Sequence, residues 1–227
     1  MKNVKFYSGN LEVRCAGEAD CGMICYLPGY KPAEESELRA IASHFGICMA
    51  VINGMDWDGD LSPWVAKGVP AGTPDFRGGA PVFLRRLTER ILPQAESMLG
   101  CRPQTRVLAG ISMSGLFALW QWMVCDIFRD VISLSGSFWY DGFDGWLRHH
   151  EDLHKPSDAR IYISLGRQEP KSRNKVFATV GECTAETVEF LRSKGIDTEF
   201  RWEEGSHYVD YFPRLMHGLE FICRKDG

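Results

Sequence analysis

Residues 109–117 read AGISMSGLF. A serine nucleophile needs its hydroxyl lifted clear on a sharp strand-to-helix turn, with small residues two before and two after so that the turn can close. Gly110 and Ser114 fill those places around Ser112, giving G-x-S-x-S, one substitution from G-x-S-x-G. Ser114 would have Ser112 and Leu116 in the same places, and leucine is too bulky there. Ser112 is therefore the candidate. The same residues could also be an ordinary helix start with Ser112 as its N-cap, so the decision rests on what else the chain supplies.

A hydroxyl attacks only with a base beside it. His207, in FRWEEGSHYVD, stands just past the last strand-like segment, and histidine is the side chain that titrates near neutrality. Glu169, in YISLGRQEPKSRN, stands just past an earlier strand and could hold the imidazole in one tautomer and stabilise the imidazolium. Asp141 and Asp144 follow a neighbouring strand and remain alternative acids. His217 falls inside a helix, and His44 at a helix end where a cation suits the dipole. A developing oxyanion needs N–H donors. The residue after the nucleophile, Met113, offers one, and the loop after MICYL offers the second from Gly29 or Tyr30.

Two further stretches could wall a pocket. MDWDGDLSPW brings Asp56, Trp57, Asp60 and Trp64, and SGSFWY brings Ser137, Phe138, Trp139 and Tyr140. Aromatic walls with a few polar groups suit a small ligand, although such aromatics can equally pin a loop to the body of a domain. Residues 150–154, HEDLH, match H-E-x-x-H, in which His150 and His154 would bind zinc with Glu151 as base. The flanks are polar, Pro156 stops any helix at once, and no third ligand follows closely. No metal and no cofactor is expected.

These residues must be held at strand ends, and the hydropathy pattern supplies the strands. LEVRC (11–15) alternates, and MICYL, ICMAVI (47–52), TRVLAG, RDVISLSGS, ARIYISLG and DTEFRW are short apolar runs. Between them lie helical patterns at 32–46, from Pro81 to about Leu99, at SMSGLFALWQWMVC, at NKVFATVGECTAETVEFLRSKG and at YFPRLMHGLEFICRK. Asn53–Gly79 reads as one long irregular segment. Alternating strands and helices with near-continuous apolar strands predict an α/β fold, a mostly parallel central sheet with helices on both faces. Chemistry in such sheets gathers at the carboxyl ends of the strands, where the candidates stand. The segment after Tyr140 is short, so no large lid is expected.

The 227 residues suit a single domain, 1–227. A net charge of -4 with scattered Lys and Arg argues against nucleic acid. No run approaches the roughly 18 apolar residues of a membrane helix, and MKNVKFYSGNLEV carries no signal-peptide pattern; the expectation is a cytoplasmic protein without membrane contact. The eight cysteines, among them Cys25, Cys48, Cys125 and Cys223 in apolar segments, read as small core residues. The spacing of Cys15, Cys21 and Cys25 does not suit zinc.

The segments LAGISMSGLFALW, SLSGSFWY, DGDLSPWVAKG and VGECTAETVEFLRSKG resemble a group of uncharacterised bacterial esterases of the α/β-hydrolase superfamily, near the esterase D and enterochelin esterase-like branch. The resemblance runs from MICYLPGY to GSHYVD. It implies Ser112 as nucleophile, His207 as base and Glu169 as acid, in the chain order Ser…Glu…His of that superfamily. The chain departs from the pattern in having Ser114 where relatives mostly have Gly or Ala, and Arg167 where an acid often stands. The expectation is a serine esterase acting on small acyl, sugar or siderophore-type esters, its partner a small-molecule ester, its oligomeric state open. The rival readings are a ligand-binding protein with an unused triad and a zinc hydrolase built on residues 150–154.

Overall fold

Eight strands form one sheet in the computed structural model, which describes residues 1–30, 34–149, 155–156, 158–208 and 211–224. In chain order the elements are β1 (Lys2–Ser8), β2 (Leu11–Gly17), β3 (Met23–Pro28), α1 (Glu35–Phe45), β4 (Cys48–Asn53), α2 (Trp57–Asp60), β5 (Val65–Ala66), β6 (Phe76–Arg77), α3 (Ala80–Arg86), α4 (Leu92–Leu99), β7 (Thr105–Ile111) and α5 (Met113–Val124). Then follow β8 (Asp130–Leu134), α6 (Phe143–Arg148), β9 (Arg160–Gly166), α7 (Lys175–Ala178), α8 (Val180–Ser193), β10 (Asp197–Glu203) and α9 (Phe212–Ile222). The sheet order is β1-β2-β4-β3-β7-β8-β9-β10, with β5 and β6 forming a separate two-stranded ribbon. Along this order β1–β2 and β2–β4 pair antiparallel, and every pairing from β4–β3 to β9–β10 is parallel.

Every residue of β4, β8 and β9 is buried, as expected of parallel strands covered on both faces. Alternate side chains feed two cores. Val131, Ile161 and Ile163 pack with α3, α4, α5 and α8 on one face. Ile132, Leu134 and Tyr162 pack with Leu38 and Ile41 of α1 and Leu215 and Leu219 of α9 on the other. α5 is buried along nearly its whole length, so its apolar circumference is needed all round. No helix among the described residues is long and apolar enough to cross a membrane.

The structure departs from the sequence reading in several places. β1 is an unread strand whose only buried residue is Phe6. It hairpins onto β2 through Gly9-Asn10. The single helix expected from Pro81 to Leu99 is broken by a π-helical turn, Leu87–Ile91. Pro93 in the next turn has no N–H to give, and the wider turn just before it is how the helix accommodates that loss. The irregular segment 53–79 contains α2 and the β5–β6 ribbon. The helix read at 174–195 is two, with Thr179 between α7 and α8. Cys48 is not a lone core thiol. It is joined to Cys21 as a disulfide, with the Cys101 sulfur close to both.

Candidate active site

β7 runs into α5 through one residue, Ser112, with φ 57° and ψ −122°. Such a conformation costs a non-glycine residue on the order of 1–3 kcal/mol and persists only when neighbours enforce it. They do. The Ser112 N–H donates to Leu134 O (3.0 Å), and Ser112 O accepts the N–H groups of Leu116 (3.0 Å) and Ser137 (3.1 Å). The side chain makes no capping bond to α5, so the N-cap alternative does not describe it.

The flanking small residues act differently from one another. A Cβ on Gly110 would lie 2.1 Å from Ser114 O, which leaves no room for any other residue. Ser114 is fully buried, and its Oγ accepts the Ile111 N–H (2.8 Å) and donates to Ile111 O (2.9 Å). The hydroxyl thus satisfies the polar groups of the strand's last residue, where a glycine would only leave space.

The three strand exits converge. Ser112 Oγ–H donates to His207 Nε2 (3.1 Å), and His207 Nδ1–H donates to Glu169 Oε2 (2.8 Å). The tautomer follows from these bonds: with the proton on Nδ1, Nε2 holds the lone pair facing the hydroxyl. Glu169 opens the short 3-10 turn after β9 and is 7% exposed. Burial pushes its pKa up, but hydrogen bonds from His207, Ser135 and the Gly166 N–H outweigh burial and hold it below its ordinary value.

The other acids and imidazoles lie elsewhere. Asp144 pairs with Arg148 (2.8 Å), and Asp141 is exposed, its carbonyl accepting Trp64 Nε1–H (2.9 Å). His217 pairs with Glu203 (2.9 Å), which also accepts the Tyr162 hydroxyl. His44 is exposed beside Phe45. Residues 150–154, with His150, Glu151 and His154, lie outside the described residues.

Met113 is the first residue of α5, so its N–H has no intrahelical acceptor. The Gly29 N–H donates to Ile52 O (2.8 Å) and belongs to the sheet. That leaves the Tyr30 N–H of the two options in this loop. The Tyr30 ring is 75% exposed and meets Trp57 edge-on at 5.3 Å.

The expected walls divide into those that face the site and those that do not. Ser137 is buried with its Oγ 3.4 Å from Ser112 Oγ. Phe138, expected as a wall, is 2% exposed and stacked on Phe143 at 5.6 Å, so it is core. Trp64 is pinned to the 140s segment by its bond to Asp141 O and its contacts with Tyr140 and Trp146. Trp139 is half-buried between Phe76 and Phe177. Asp60 is spent locally, its carboxylate accepting the Asp56 N–H (3.0 Å), and burial raises its pKa. Asp56 caps α2 through the Gly59 N–H (3.1 Å) and pairs with Arg77.

Two buried polar residues around Glu169 escaped the sequence reading. Ser135 donates to Glu169 Oε1 (2.6 Å), and Arg214 donates to Ser135 Oγ (2.8 Å). Ser135 stands in SGSFWY, a stretch whose sequence points to a pocket wall, and Arg214 in the last helix, and neither type nor spacing marks them as partners of the acid.

Comparison with known proteins agrees with this architecture. Uncharacterized protein YbbA of Bacillus subtilis (strain 168) is 25% identical over 175 residues, 74% of this chain and 69% of that protein. Siderophore hydrolase EstA from Aspergillus nidulans superposes with a TM-score of 0.78 at 18% identity, covering 98% of this chain and 93% of that one. An IroE-like serine hydrolase from Shewanella oneidensis gives 0.76 at 18% identity, covering 96% and 78%. The fold is that of α/β-hydrolases. Residues 40–220 match the family model described as "Putative esterase", a span of well over half the chain, so this protein belongs to that esterase family, and its reaction class is ester hydrolysis.

Proposed function

We propose that the protein is a serine esterase acting through an acyl-enzyme. The observation that carries this reading is the Ser112 Oγ to His207 Nε2 bond of 3.1 Å, made by a serine held in a strained turn with its side chain free of capping duty. His207 takes the Ser112 proton as Oγ attacks the ester carbonyl. Glu169, already bonded to Nδ1, stabilises the imidazolium that forms. The negative charge on the carbonyl oxygen is met by the Met113 N–H. With the Gly29 N–H bonded to Ile52 O of β4, the N–H of Tyr30, the next residue of the loop, is the second donor. Each such donor contributes on the order of 2.7–4 kcal/mol to the transition state.

His207 then protonates the leaving alcohol, and water, activated by the same imidazole, releases the acid and restores Ser112. The substrates this reading assigns are small acyl, sugar or siderophore-type esters. The description of EstA as a siderophore hydrolase and the exposed ring of Tyr208 beside His207 support that range. The test is fluorophosphonate labelling followed by intact mass and peptide mapping. One adduct on Ser112, lost in His207→Ala, is the expected result. No adduct, or an adduct elsewhere, removes the proposed serine mechanism.

A further inference from the structure

The carboxylate that supports His207 is itself clamped, and the clamp reaches both partners. Arg214, on α9, is 3% exposed. Its Nη1 donates to Ser135 Oγ (2.8 Å) and stands 3.5 Å from Glu169 Oε1. Its Nη2 donates to Glu204 O and Ser206 O, each at 3.2 Å, the carbonyls of the loop leading into His207. Ser135 passes the contact on, donating to the same Glu169 Oε1 at 2.6 Å. Ser135 is 1% exposed with φ 48°, and the bond from its N–H to Ser164 O (2.7 Å) holds that conformation. Gly166 leaves the space in which all this meets. A Cβ there would lie 2.7 Å from Gly205 O, 2.8 Å from Glu169 Oε1 and 2.9 Å from Arg214 Nη2.

We infer that Arg214 and Ser135 are positioning residues of the triad: they fix Glu169 and the His207 loop relative to one another, and Arg214 sets the charge that His207 experiences. The inference rests on the triad reading above. Its electrostatic part follows from where the charges sit. Oε2 of Glu169 faces His207 and Oε1 faces Arg214. A carboxylate whose charge is shared with a buried guanidinium stabilises an adjacent imidazolium less than an unshared one. Loss of Arg214 would therefore leave Glu169 freer to stabilise that imidazolium. Of the other charged or titratable groups on the packed elements, Arg167 and Glu204 pair with each other at the surface, Glu203 is held by Tyr162, His217 and Arg201, Lys171 and Arg173 follow Glu169 in and just past its turn, and Tyr208 lies edge-on to the imidazole.

The experiment compares wild type, Arg214→Met, Arg214→Lys and Ser135→Gly in kcat and KM for a p-nitrophenyl ester across pH. Wild type is first labelled with a fluorophosphonate; failure to label Ser112 removes the triad reading and this inference with it. Given labelling, R214M moves the acidic limb of kcat/KM upward by about 0.5–1 pH unit, less than the 1–3 units of a directly adjacent charge. R214K keeps the charge and loses the forked contacts, so kcat falls while the limb stays in place. S135G removes one donor from Glu169 and relaxes the positive φ, so kcat falls about tenfold with KM unchanged, as for the loss of one charge-assisted hydrogen bond. An R214M limb coincident with wild type, or an S135G kcat equal to wild type, overturns the inference while the labelled triad stands. Should R214M fail to fold, the S135G kcat decides.

Discussion

Ser112 and Ser135 leave adjacent parallel strands with the same unusual backbone sign, φ 57° and 48°. They are the only non-glycine residues with positive φ among those described. One carries the candidate nucleophile, and the other carries the hydroxyl that bonds its acid. Strain at neighbouring strand exits is thus spent on one constellation, and backbone strain of this kind clusters where geometry is functional.

That relationship gives opposed effects on stability and activity at Ser112. Ser112→Ala should lower kcat/KM at least about a thousandfold, as removal of a triad nucleophile does, with little change in Tm. Ser112→Gly should be equally inactive yet melt a few degrees above Ser112→Ala. Glycine relieves a cost of about 1 kcal/mol or more, and 1 kcal/mol is roughly 2–4 °C for a chain of this size. Steady-state rates and calorimetry on the two variants check both halves. Near-normal turnover in S112A would show that the elbow is architecture alone.

Ser114 yields a less intuitive expectation. Ser114→Gly would restore G-x-S-x-G, yet it deletes the hydroxyl that bonds both the N–H and the carbonyl of Ile111. Leaving a buried backbone donor unpaired costs about 1–3 kcal/mol. S114G should therefore be less stable than wild type by that amount in urea unfolding. An S114G variant as stable as wild type would mean that water replaces the hydroxyl at no cost.

Much of this arrangement was readable in the sequence because it is local. The buried strands β4, β8 and β9 are continuous apolar runs, and Gly110, Ser112, Glu169 and His207 each announce themselves by type and place. What escaped depends on tertiary contact. β1 buries only Phe6, so its pattern is that of an exposed segment. An arginine in an amphipathic helix reads as a solvated face, and only the crossing of α9 under the His207 loop makes Arg214 a buried cation. Phe138 and Trp139 are adjacent aromatics, and nothing in their types says that the first stacks into the core while the second stays at its margin.

Glu169 links activity to acid stability. Glu169→Gln keeps the shape but cannot support the imidazolium, and it should lower kcat by about a hundredfold to 10⁴-fold. The sign of the stability effect follows from the lowered pKa. A carboxylate whose folded pKa lies below its ordinary value of 4.5 contributes stability that is fully present above pH 4.5 and is lost as pH falls through the folded value. Wild type should thus be more stable than E169Q at neutral pH, and the gap should narrow below pH 4.5. Urea midpoints for both proteins across that range test it. A gap independent of pH would show that Glu169 is not held ionised by its partners.

The last expectation concerns the acyl group. A long acyl chain gains about 0.8 kcal/mol for each methylene it buries, so a preference for long chains requires an apolar wall beside the nucleophile. Among the described residues, the side chains in contact with Ser112 and His207 do not offer one. Ser137 Oγ occupies the space 3.4 Å from Ser112 Oγ, Phe138 is turned into the core, and Tyr208, edge-on to His207, is 93% exposed. Added methylenes would remain in water and gain little. In a series of p-nitrophenyl esters, kcat/KM should be highest for acetyl or butyryl and lower for decanoyl. A clear preference for decanoyl would mean that a covering segment closes over the site when substrate binds, and would move the substrate assignment toward lipid-like esters.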